Sequence, residues 1–370
     1  MTAKNVLGLV FSSADDDNLR EMTGIRTMGS IPFAGRYRLI DFVLSNMVNC
    51  GMSKVGIITK SNYQSLMDHL GSGKAWDLSR KNEGITILPP FNLGKGGVYK
   101  SRIDALANVM NYISHSKKEH IILSDCSAVC NIDYGKLLAF HEDKGADITV
   151  AYAKGKVPAF DDRMVFGLDA EGRVNDVSIS PATENEENYS LNVIVISRLL
   201  LENLIKGAIS RNETSFEKDI IQKNIGTYKI YGYEVTDYVR VIDSLQSYYE
   251  ISMDLINGDY KRLFDKERPV YTKVRDDMPT TYGLNSQVNN SLIAGGCIIK
   301  GKVENCILFR GVQIEEGAEV KDSIIMQGSY IGAGAKINCA ILDKQVTVKP
   351  NREITGAPTY PLYVGKQIMV

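Results

Sequence analysis

The hydrophobic positions in the first part of the chain form short apolar runs separated by stretches of helical spacing. The runs predict buried strands, and the spaced apolar residues of segments such as YRLIDFVLSNMVNC predict amphipathic helices. This alternation favours an α/β domain with a doubly wound, mostly parallel sheet. The strands are predicted at Val6–Phe11, Lys54–Thr59, Glu119–Leu123 and Ala146–Tyr152, and the helices at Tyr37–Cys50, Ile103–Ile113 and Lys136–Asp143.

The middle of the chain alternates less regularly, and its elements are predicted from shorter signals. Strands are expected at Met164–Leu168 and Leu191–Ile196, and a helix at Val241–Leu255. The charged, turn-rich stretch Pro181–Tyr189 (PATENEENY) is typical of a surface loop. Segment 257–285 contains turn residues and prolines and predicts a linker that follows a first domain at 1–256.

From about residue 286 the apolar residues recur at every sixth position, with small and polar residues between them. A six-residue period places one aliphatic side chain inward on each side of a three-sided coil. The pattern therefore predicts a left-handed hexapeptide β-helix over 286–370, and it disfavours the alternative, a sheet of short strands with glycine turns. The periodic positions are Ile293, Ile299, Leu308, Ile314, Val320, Ile325, Ile331, Ile337, Leu342 and Val348.

Composition narrows the classes of function. The formal net charge is -1, so we expect neither nucleic acid nor a membrane surface as a partner. The chain has no long apolar run that predicts a membrane span, and the start MTAKNVLGLVFSS does not resemble a secretory signal. The six cysteines form no C-x-x-C pair. These features favour reduced, mostly buried thiols in a cytoplasmic protein and disfavour a zinc site.

Four segments connect these two predicted domains to a known family. They are PFAGRYRLIDFVLSN (Pro32–Asn46), KAWDLSRKNEGITILPP (Lys74–Pro90), SYYEISMDL (Ser247–Leu255) and SLIAGG (Ser291–Gly296). They resemble segments of the ADP-glucose pyrophosphorylases, or glucose-1-phosphate adenylyltransferases, along the whole chain. The resemblance implies a nucleotide-sugar-transferase-like fold. It also implies chemistry in which glucose 1-phosphate attacks ATP, with Mg²⁺ and cations around the phosphates.

The phosphate-binding loop of that family is altered. Where the family has a glycine-rich AGGRGTRL turn, this chain has SSADDDNL (Ser12–Leu19). Each carboxylate of Asp15–Asp17 facing a triphosphate would cost about 4 kcal/mol at about 4 Å and an effective dielectric of about 20. A solvated acidic loop is favoured over the alternative that this cluster binds Mg²⁺. Met28 falls where the family has a phosphate-binding lysine.

The other catalytic positions of the family are also changed. In YKSRIDA (Tyr99–Ala105), Ser101, Arg102 and Ile103 replace the small Gly-Thr-Ala of the family, and we expect their bulk to narrow the adenine pocket. Ser127 and Val241 replace the two metal-binding aspartates, although Asp125 and Asp243 lie two residues away from them. The full set of departures from the family pattern is Ser13, Ala14, Asn18, Met28, Ser127, Ile179, Ser180 and Val241.

A few positions keep the residues that the resemblance assigns to ligands. Arg36, followed by Arg38, stands where the family carries a basic residue implicated in binding anionic effectors, and a solvated surface arginine is the alternative. Packing and turn geometry are the competing explanations for the retained substrate-pocket residues, which are Asp104, Phe166, Gly167 and Ser190.

Three hypotheses follow. The first is a regulatory subunit like the catalytically degenerate members of this family, in a heterotetramer with a catalytic paralogue. It would bind no cofactor tightly, Mg²⁺ would belong to the partner, and a sugar phosphate would be the effector. The second is an active nucleotidyltransferase with relocated ligands, Asp125 and Asp243 for metal, and Arg26 and Arg102 for phosphate. The third is a stand-alone sugar-phosphate sensor.

Overall fold

The protein was analysed as a computed structural model that describes residues 3–14, 16–90, 99–181, 183 and 185–370. Its first domain contains a nine-stranded sheet. Val6–Phe11 lies at the centre of the parallel part, between Lys54–Ile58 and His120–Asp125, and Gly84–Leu88 extends this part at one edge. Every residue of Val6–Phe11 is buried, as expected for a parallel strand that is covered on both faces.

Helices cover both faces of the sheet. Leu7 and Leu9 pack in one apolar cluster with helices Arg102–Asn108 and Arg198–Ser210, and Val6 and Val10 pack in another with helices on the opposite face. The doubly wound arrangement is therefore confirmed. The α-helices are Arg20–Thr23, Leu39–Asn49, Gln64–Leu70, Arg102–Asn108, Met110–His115, Tyr134–Asp143, Arg198–Ser210, Leu245–Asp254 and Tyr260–Leu263, with π-helical turns at Phe216–Ile221 and Leu255–Asp259 and 3₁₀ turns at Ala3–Asn5, Asp16–Leu19, Met28–Ser30, Lys74–Trp76 and Gln222–Asn224.

Antiparallel strands extend the parallel part and make the sheet mixed. Glu186–Ser197 runs antiparallel to His120–Asp125 and to Ile148–Lys156. Its first residues were predicted as part of a loop, because they are polar. They nevertheless pair with Lys154–Lys156 in a partly exposed ladder. Ala182 and Glu184 of the predicted loop lie outside the described residues. The remaining strands are Met164–Leu168, Val174–Ile179, Ile230–Glu234, the small pair Ala128–Cys130 and Val239–Val241, and the small pair Pro32–Phe33 and Tyr37–Arg38.

Two helix predictions need correction. The predicted helix Ile103–Ile113 is divided at Val109, whose ψ of 10° interrupts the helical backbone. The helix expected from Val241 begins only at Leu245, because the Ser244 side chain caps it by accepting a hydrogen bond from the Ser247 amide. Val241 lies instead in a short strand that pairs with Ala128–Cys130.

The second domain is the parallel β-helix that the six-residue period predicted. It consists of three five-stranded parallel sheets. The periodic aliphatic residues stack in its buried interior. The first sheet is Thr281–Tyr282, Ile298–Ile299, Gln313–Ile314, Tyr330–Ile331 and Thr347–Val348; the second is Gln287–Asn289, Lys302–Glu304, Glu319–Lys321, Lys336–Asn338 and Glu353–Thr355; the third is Leu292–Ile293, Ile307–Leu308, Ile324–Ile325, Ala340–Leu342 and Leu362–Val364.

The predicted linker 257–285 contains ordered structure. Its first residues form the helical turns Leu255–Asp259 and Tyr260–Leu263, and its end, from Thr281, already belongs to the β-helix. Between these, the Asn131 side chain donates hydrogen bonds to the carbonyls of Leu263 and Arg268. This segment is therefore tied to the first domain at Leu263 and Arg268.

The β-helix packs against the first domain through its third sheet. The outward-facing Ile307, Ile324 and Ile341 are buried in one cluster with aromatic residues of the first domain such as Tyr248 and Tyr249. This shared apolar core places the turns of the β-helix beside the loops of the first domain. No helix of the described residues is long and apolar enough to cross a membrane.

Candidate functional site

The carboxyl ends of the parallel strands open into what we call the strand-end cleft, a cavity of about 180 Å³ lined by residues including Ser13, Thr59, Lys60, Tyr99 and Arg102. Ligands of open α/β sheets bind at this edge. The cleft therefore lies where the family resemblance placed the nucleotide.

The acidic loop after the first strand is only partly solvated. The Asp17 side chain is exposed and pairs with Arg20 at 3.2 Å. Asp16, in contrast, turns inward and accepts a hydrogen bond from the Met28 amide at 2.6 Å, and burial raises the pKa of its carboxyl to about 6. The prediction of a solvated loop is thus wrong for Asp16, because its carboxylate turns inward and bonds to the Met28 amide. Asp15 lies outside the described residues.

On the following segment, neither Arg26, the candidate phosphate ligand, nor Met28, which replaces the family's lysine, lines the strand-end cleft. Met28 is 1% exposed and packs in the apolar core shared by the two domains. The guanidinium of Arg26 is buried and binds both carboxylate oxygens of Asp343 in the β-helix, at 2.9 and 2.8 Å. The second oxygen of Asp343 also accepts a hydrogen bond from the Tyr363 hydroxyl at 2.6 Å.

Arg102 occupies the inner wall of the strand-end cleft. Its guanidinium pairs with Asp125 at 2.8 Å and with Glu217 at 3.2 Å, and it lies 4.7 Å from the centroid of the Phe11 ring. Burial disfavours its charge, but the two carboxylates raise the pKa of Arg102 above its ordinary value. Burial raises the pKa of Glu217. The charge of Arg102 is therefore balanced by Asp125 and Glu217 and is not left free for a phosphate.

The residues at the family's metal positions do not suit Mg²⁺. Val241 has no ligand atom and is buried, and Ser127 contributes a buried hydroxyl without a hydrogen-bond partner. The nearby Asp125 is already bonded to Arg102 and to the Asn192 side chain at 2.7 Å. Among the described residues, no group of three or more His, Cys, Asp or Glu side chains is placed to hold a metal ion.

Asp243, the other carboxylate suggested as a substitute ligand, is also engaged. It accepts hydrogen bonds from the Ala159 amide at 2.8 Å and from the Ser244 hydroxyl at 3.1 Å. These contacts fix a loop against the start of helix Leu245–Asp254. Mg²⁺ prefers several freely oriented oxygen ligands. Both oxygens of Asp243 and one oxygen of Asp125 are already in hydrogen bonds, and only Oδ1 of Asp125 has no partner among the described residues.

The expected sugar pocket contains a buried arginine that sequence reasoning missed. Arg163 lies 4.2 Å from the Phe160 ring centroid and donates to the Ser190 carbonyl at 2.7 Å. The Ser180 amide donates to the Arg163 carbonyl at 2.8 Å, and the Ser180 hydroxyl donates to the Phe160 carbonyl at 2.7 Å. Ile179–Ser180 thus close a turn around Arg163.

The retained pocket residues have structural contacts. Ser101 caps helix Arg102–Asn108 by accepting from the Asp104 amide, and the Asp104 carboxylate accepts from the Lys100 amide. Ser190 is fully buried and accepts from the Asn192 amide at 2.9 Å.

The aromatic and glycine remnants are explained by packing. Phe166 is buried in the apolar cluster on one face of the sheet. A Cβ at Gly167 would lie 2.8 Å from the Asn175 side-chain oxygen and 3.0 Å from the Asp176 Cβ, so the neighbouring strand leaves little room for a larger residue. Their roles as ligands remain predictions.

Arg36 and Arg38 lie in a second cavity, of about 220 Å³, between the two domains. We call it the interdomain cleft. One face comes from the first domain and one from the turns of the β-helix. The lining residues are Pro32, Gly35, Arg36, Tyr37, Arg38, Asp68, His69, Lys273, Arg275, Phe309, Arg310, Gln327 and Lys344.

The two predicted arginines differ within this cleft. Arg36 is exposed and donates to the Tyr37 hydroxyl at 3.0 Å. Arg38 is largely buried and donates to the carbonyl and the hydroxyl of Ser65; burial lowers its pKa to about 10. Arg36 is thus the freer of the two for an incoming anion.

Lys344 is the functional candidate that sequence reasoning missed. No hydrogen bond or ion pair engages its ammonium within the described part of the chain. Burial lowers the pKa of Lys344 to about 7, and the neighbouring charges of Arg38 and Arg26 contribute. The six-residue period identifies inward positions of a β-helix, but it does not say which turn faces the other domain.

Comparison with known proteins agrees with this architecture. The model of the nucleotidyl transferase family matches residues 17–257, and that of the GlmU-like C-terminal hexapeptide matches 278–359. The chain belongs to the nucleotidyl transferase family. Within it, the chain is 35% identical over 370 residues to glycogen biosynthesis protein GlgD of Bacillus subtilis, covering 100% of this chain and 98% of that protein.

Other members of the nucleotidyl transferase family that resemble this chain carry an enzyme's name. The glucose-1-phosphate adenylyltransferase of Fervidobacterium nodosum is 31% identical over 355 residues, covering 95% of this chain and 86% of the relative. The glucose-1-phosphate adenylyltransferase of Clostridium perfringens is 29% identical over 336 residues, covering 90% of this chain and 87% of the relative. The family resemblance seen in the sequence is therefore confirmed across both domains.

Proposed function

We propose that this chain is a regulatory subunit of a glucose-1-phosphate adenylyltransferase that serves glycogen biosynthesis and has little or no activity of its own. The observation that carries the proposal is the buried network of Arg102, Asp125, Glu217 and Asn192. It commits the Arg102 guanidinium on the wall of the strand-end cleft to buried carboxylates, where the reaction needs free cations and metal ligands around a triphosphate. The relatives named for glycogen biosynthesis and for glucose-1-phosphate adenylyl transfer support this role.

The same contacts argue against an active enzyme with relocated ligands. Arg26 is committed to Asp343, and Arg102 to Asp125 and Glu217. A buried ion pair that loses one partner typically costs 3–5 kcal/mol, about the value expected for each of these contacts. Binding a substrate through these residues would first have to break such pairs.

The interdomain cleft supports a regulatory role through a sugar-phosphate effector. Arg36, Lys273, Arg275 and Lys344 line it together with two further arginines, whereas Asp68 is its only carboxylate among the described lining residues. Such an excess of positive charge in a concave site favours a phosphorylated ligand. Because both domains line the cleft, an effector bound there would change the free energy of their relative arrangement.

The partner in this proposal is a catalytic paralogue in the cytoplasm, within a heterotetramer. The paralogue would bind Mg²⁺ and carry out the transfer, and the present chain would alter its turnover or its response to effectors. A stand-alone sugar-phosphate sensor is the alternative that the interdomain cleft also allows.

Co-expression tests this proposal. The purified chain, given ATP, glucose 1-phosphate and Mg²⁺, should release pyrophosphate far more slowly than the paralogue. The co-purified complex should differ from the paralogue alone in kcat, or in the glucose 1-phosphate concentration at half-maximal rate. Turnover by the isolated chain at the paralogue's rate would refute it, and a chain that binds sugar phosphate but never co-purifies would favour the sensor.

A variant of the interdomain cleft sharpens this test. Arg36→Gln should leave co-purification intact and abolish only the effector-dependent part of the change in rate. Arg80→Gln is the matched control, since Arg80 is a partly exposed arginine paired with Asp77 outside the cleft. Equal responses of the two variants would show that the cleft does not bind the effector.

A further inference from the structure

Lys344 differs in its contacts from other cations that line the interdomain cleft. Arg38 donates to Ser65, and Arg310 pairs with Asp277 at 3.3 Å. The ammonium of Lys344 has neither a hydrogen bond nor an ion pair within the part of the chain that the structure describes. Lys344 therefore contributes an unpaired amino group to the wall of the cleft.

The β-helix holds Lys344 at one corner of its coils. Strands Ile307–Leu308, Ile324–Ile325 and Ala340–Leu342 pair in register, so the residues two positions after each strand occupy equivalent places on successive coils. The residues at these places all line the cleft, and they are Arg310, Gln327 and Lys344. The Lys344 amide also donates to the Asp343 carboxylate at 2.6 Å. The fold thus presents Lys344 to the cleft at a defined position.

The surroundings of Lys344 disfavour a positive charge on its side chain. Burial, followed by the charges of Arg38 and Arg26, lowers the pKa of Lys344 to about 7. The carboxylate of Asp343 opposes this effect, but it is already bonded to Arg26. The remaining titratable groups that face Lys344 are Lys366 and His69.

A large part of the Lys344 side chains is therefore neutral near physiological pH. At pH 7.5 about 75% of amines with a pKa of about 7 are neutral, against about 0.1% of lysines with the ordinary pKa of about 10.4. A neutral amine is a nucleophile, and lysines placed beside other cations gain reactivity in this way.

The charge of the product decides which electrophile suits this amine. An acylated lysine is neutral, and a protonated imine keeps the positive charge, whereas a carbamate is an anion. Of these three products, only the carbamate turns an unfavourable cation into a group that the neighbouring guanidinium groups stabilise.

We propose that Lys344 is a carbamylation site, at which carbon dioxide adds to the side-chain amine and forms a carbamate within the interdomain cleft. The amine nitrogen forms a bond to the carbon atom, one electron pair of a carbon–oxygen double bond moves onto oxygen, and a proton leaves the nitrogen for solvent. The product carries one negative charge, which faces Arg38 and Arg26. The reaction needs only this chain and dissolved carbon dioxide, so the inference does not depend on the regulatory role proposed above.

The modification changes what the interdomain cleft can bind. It replaces a cation by an anion on a wall shared with Arg36 and Arg275. A phosphorylated ligand in the same cavity would be repelled by the carbamate. Carbon dioxide and such a ligand are therefore expected to weaken one another's binding by the same factor.

Chemical trapping on the wild-type, full-length chain tests the proposal directly. The chain is equilibrated with carbon-13 bicarbonate at pH 7.5 and treated with a triethyloxonium salt, which esterifies carbamates, and peptide mass spectrometry then locates the labelled ester. The comparison is Lys349, an exposed lysine outside the cleft. Lys344 should be labelled at least about a hundredfold more than Lys349, because an ordinary lysine is almost entirely charged at this pH.

Carbon-13 NMR on variants provides a second measurement. The carbamate resonance of the wild type should be lost in Lys344→Arg, which keeps the charge without a nucleophilic amine, and in Lys344→Met. It should remain in the control variant Lys349→Met. At a fixed concentration of dissolved carbon dioxide, it should strengthen at least about tenfold between pH 6 and pH 8.5, because the amine loses its proton near its pKa of about 7.

Three results would overturn the proposal. They are a wild type that is trapped at Lys344 no more than at Lys349, a resonance that survives in both Lys344 variants, and a resonance that weakens as pH rises. Because trapping uses the wild type, its result does not depend on the folding of any variant. Pyrophosphate release is not measured, so this test and the test of the regulatory role fail independently.

Discussion

Replacing Arg102 by alanine tests whether charge pairing at the wall of the strand-end cleft stabilises the fold. The substitution removes the guanidinium from between Asp125 and Glu217, whose side chains are only 1% and 5% exposed. Asp125 keeps its hydrogen bond from Asn192, whereas Glu217 loses its ion-pair partner. Two carboxylates are then left buried close to one another without a cation.

The expected loss of stability is large. Breaking a buried ion pair from one side costs about 3–5 kcal/mol, which corresponds to a fall of about 6–20 °C in the melting temperature of a domain of this size. Burial already raises the pKa of Glu217, so the folded protein holds the proton of this carboxyl more tightly than the unfolded chain does. Its contribution to stability is therefore full below its ordinary pKa of 4.5 and is lost as pH rises. Removing Arg102 raises that pKa further, so the variant should lose more stability with rising pH than the wild type.

Thermal unfolding followed by circular dichroism at pH 5.5 and pH 8 measures both effects. The double variant Arg102→Ala, Glu217→Gln should recover part of the lost stability, because it removes one of the two uncompensated charges. Arg80→Ala, which loses an exposed pair with Asp77, should change the melting temperature little. A small loss in Arg102→Ala at both pH values, or a double variant as unstable as the single one, would refute the reasoning.

Three further predictions concern other charged groups. Lys344→Met should weaken binding of glucose 1-phosphate about tenfold at pH 7. Because burial lowers the Lys344 pKa to about 7, the affinity of the wild type should fall roughly tenfold by pH 8.5, as the ammonium loses its proton. Calorimetry measures both effects, with Lys349→Met as the control. Because burial raises the Asp16 pKa to about 6, the wild type should lose stability as pH rises from about 4 to 6. Asp16→Asn has no carboxyl to titrate there and should not show this loss. A variant whose melting temperature has the same slope against pH as the wild type would contradict this. Arg26→Met should destabilise the protein by about 3–5 kcal/mol by leaving Asp343 buried and unpaired; urea unfolding would show it, and Arg26→Met with Asp343→Leu should be more stable than the single variant.

Periodicity and local contacts explain which parts of the fold could be predicted. The six-residue spacing of residues such as Ile314, Val320 and Val348 identified the β-helix, because each coil needs an aliphatic residue on each side. The buried apolar runs identified the parallel strands. The polar start of Glu186–Ser197 gave no such signal, since a partly exposed strand can hold charged residues.

The site was harder to predict because its contacts join distant parts of the chain. The sequence indicated that Arg102 brings bulk to the nucleotide pocket, but not that it pairs with Glu217. Arg26 was considered a phosphate ligand because it is close in sequence to the phosphate loop. Its true partner, Asp343, belongs to a different domain. The sequence shows the charge of a residue, but it does not show which residue becomes its ion-pair partner in the fold.

The bond between Arg26 and Asp343 also has a consequence for biosynthesis. The two residues are separated by 317 positions, so a ribosome adding about 5–20 residues per second exposes Arg26 roughly 15–60 s before it makes the partner. During that interval Arg26 lacks its partner, and the apolar cluster that the first domain shares with the β-helix is incomplete. Its final packing is therefore expected to wait until the last coils of the β-helix have left the ribosome, and chains truncated before Asp343 should be favoured targets of proteolysis.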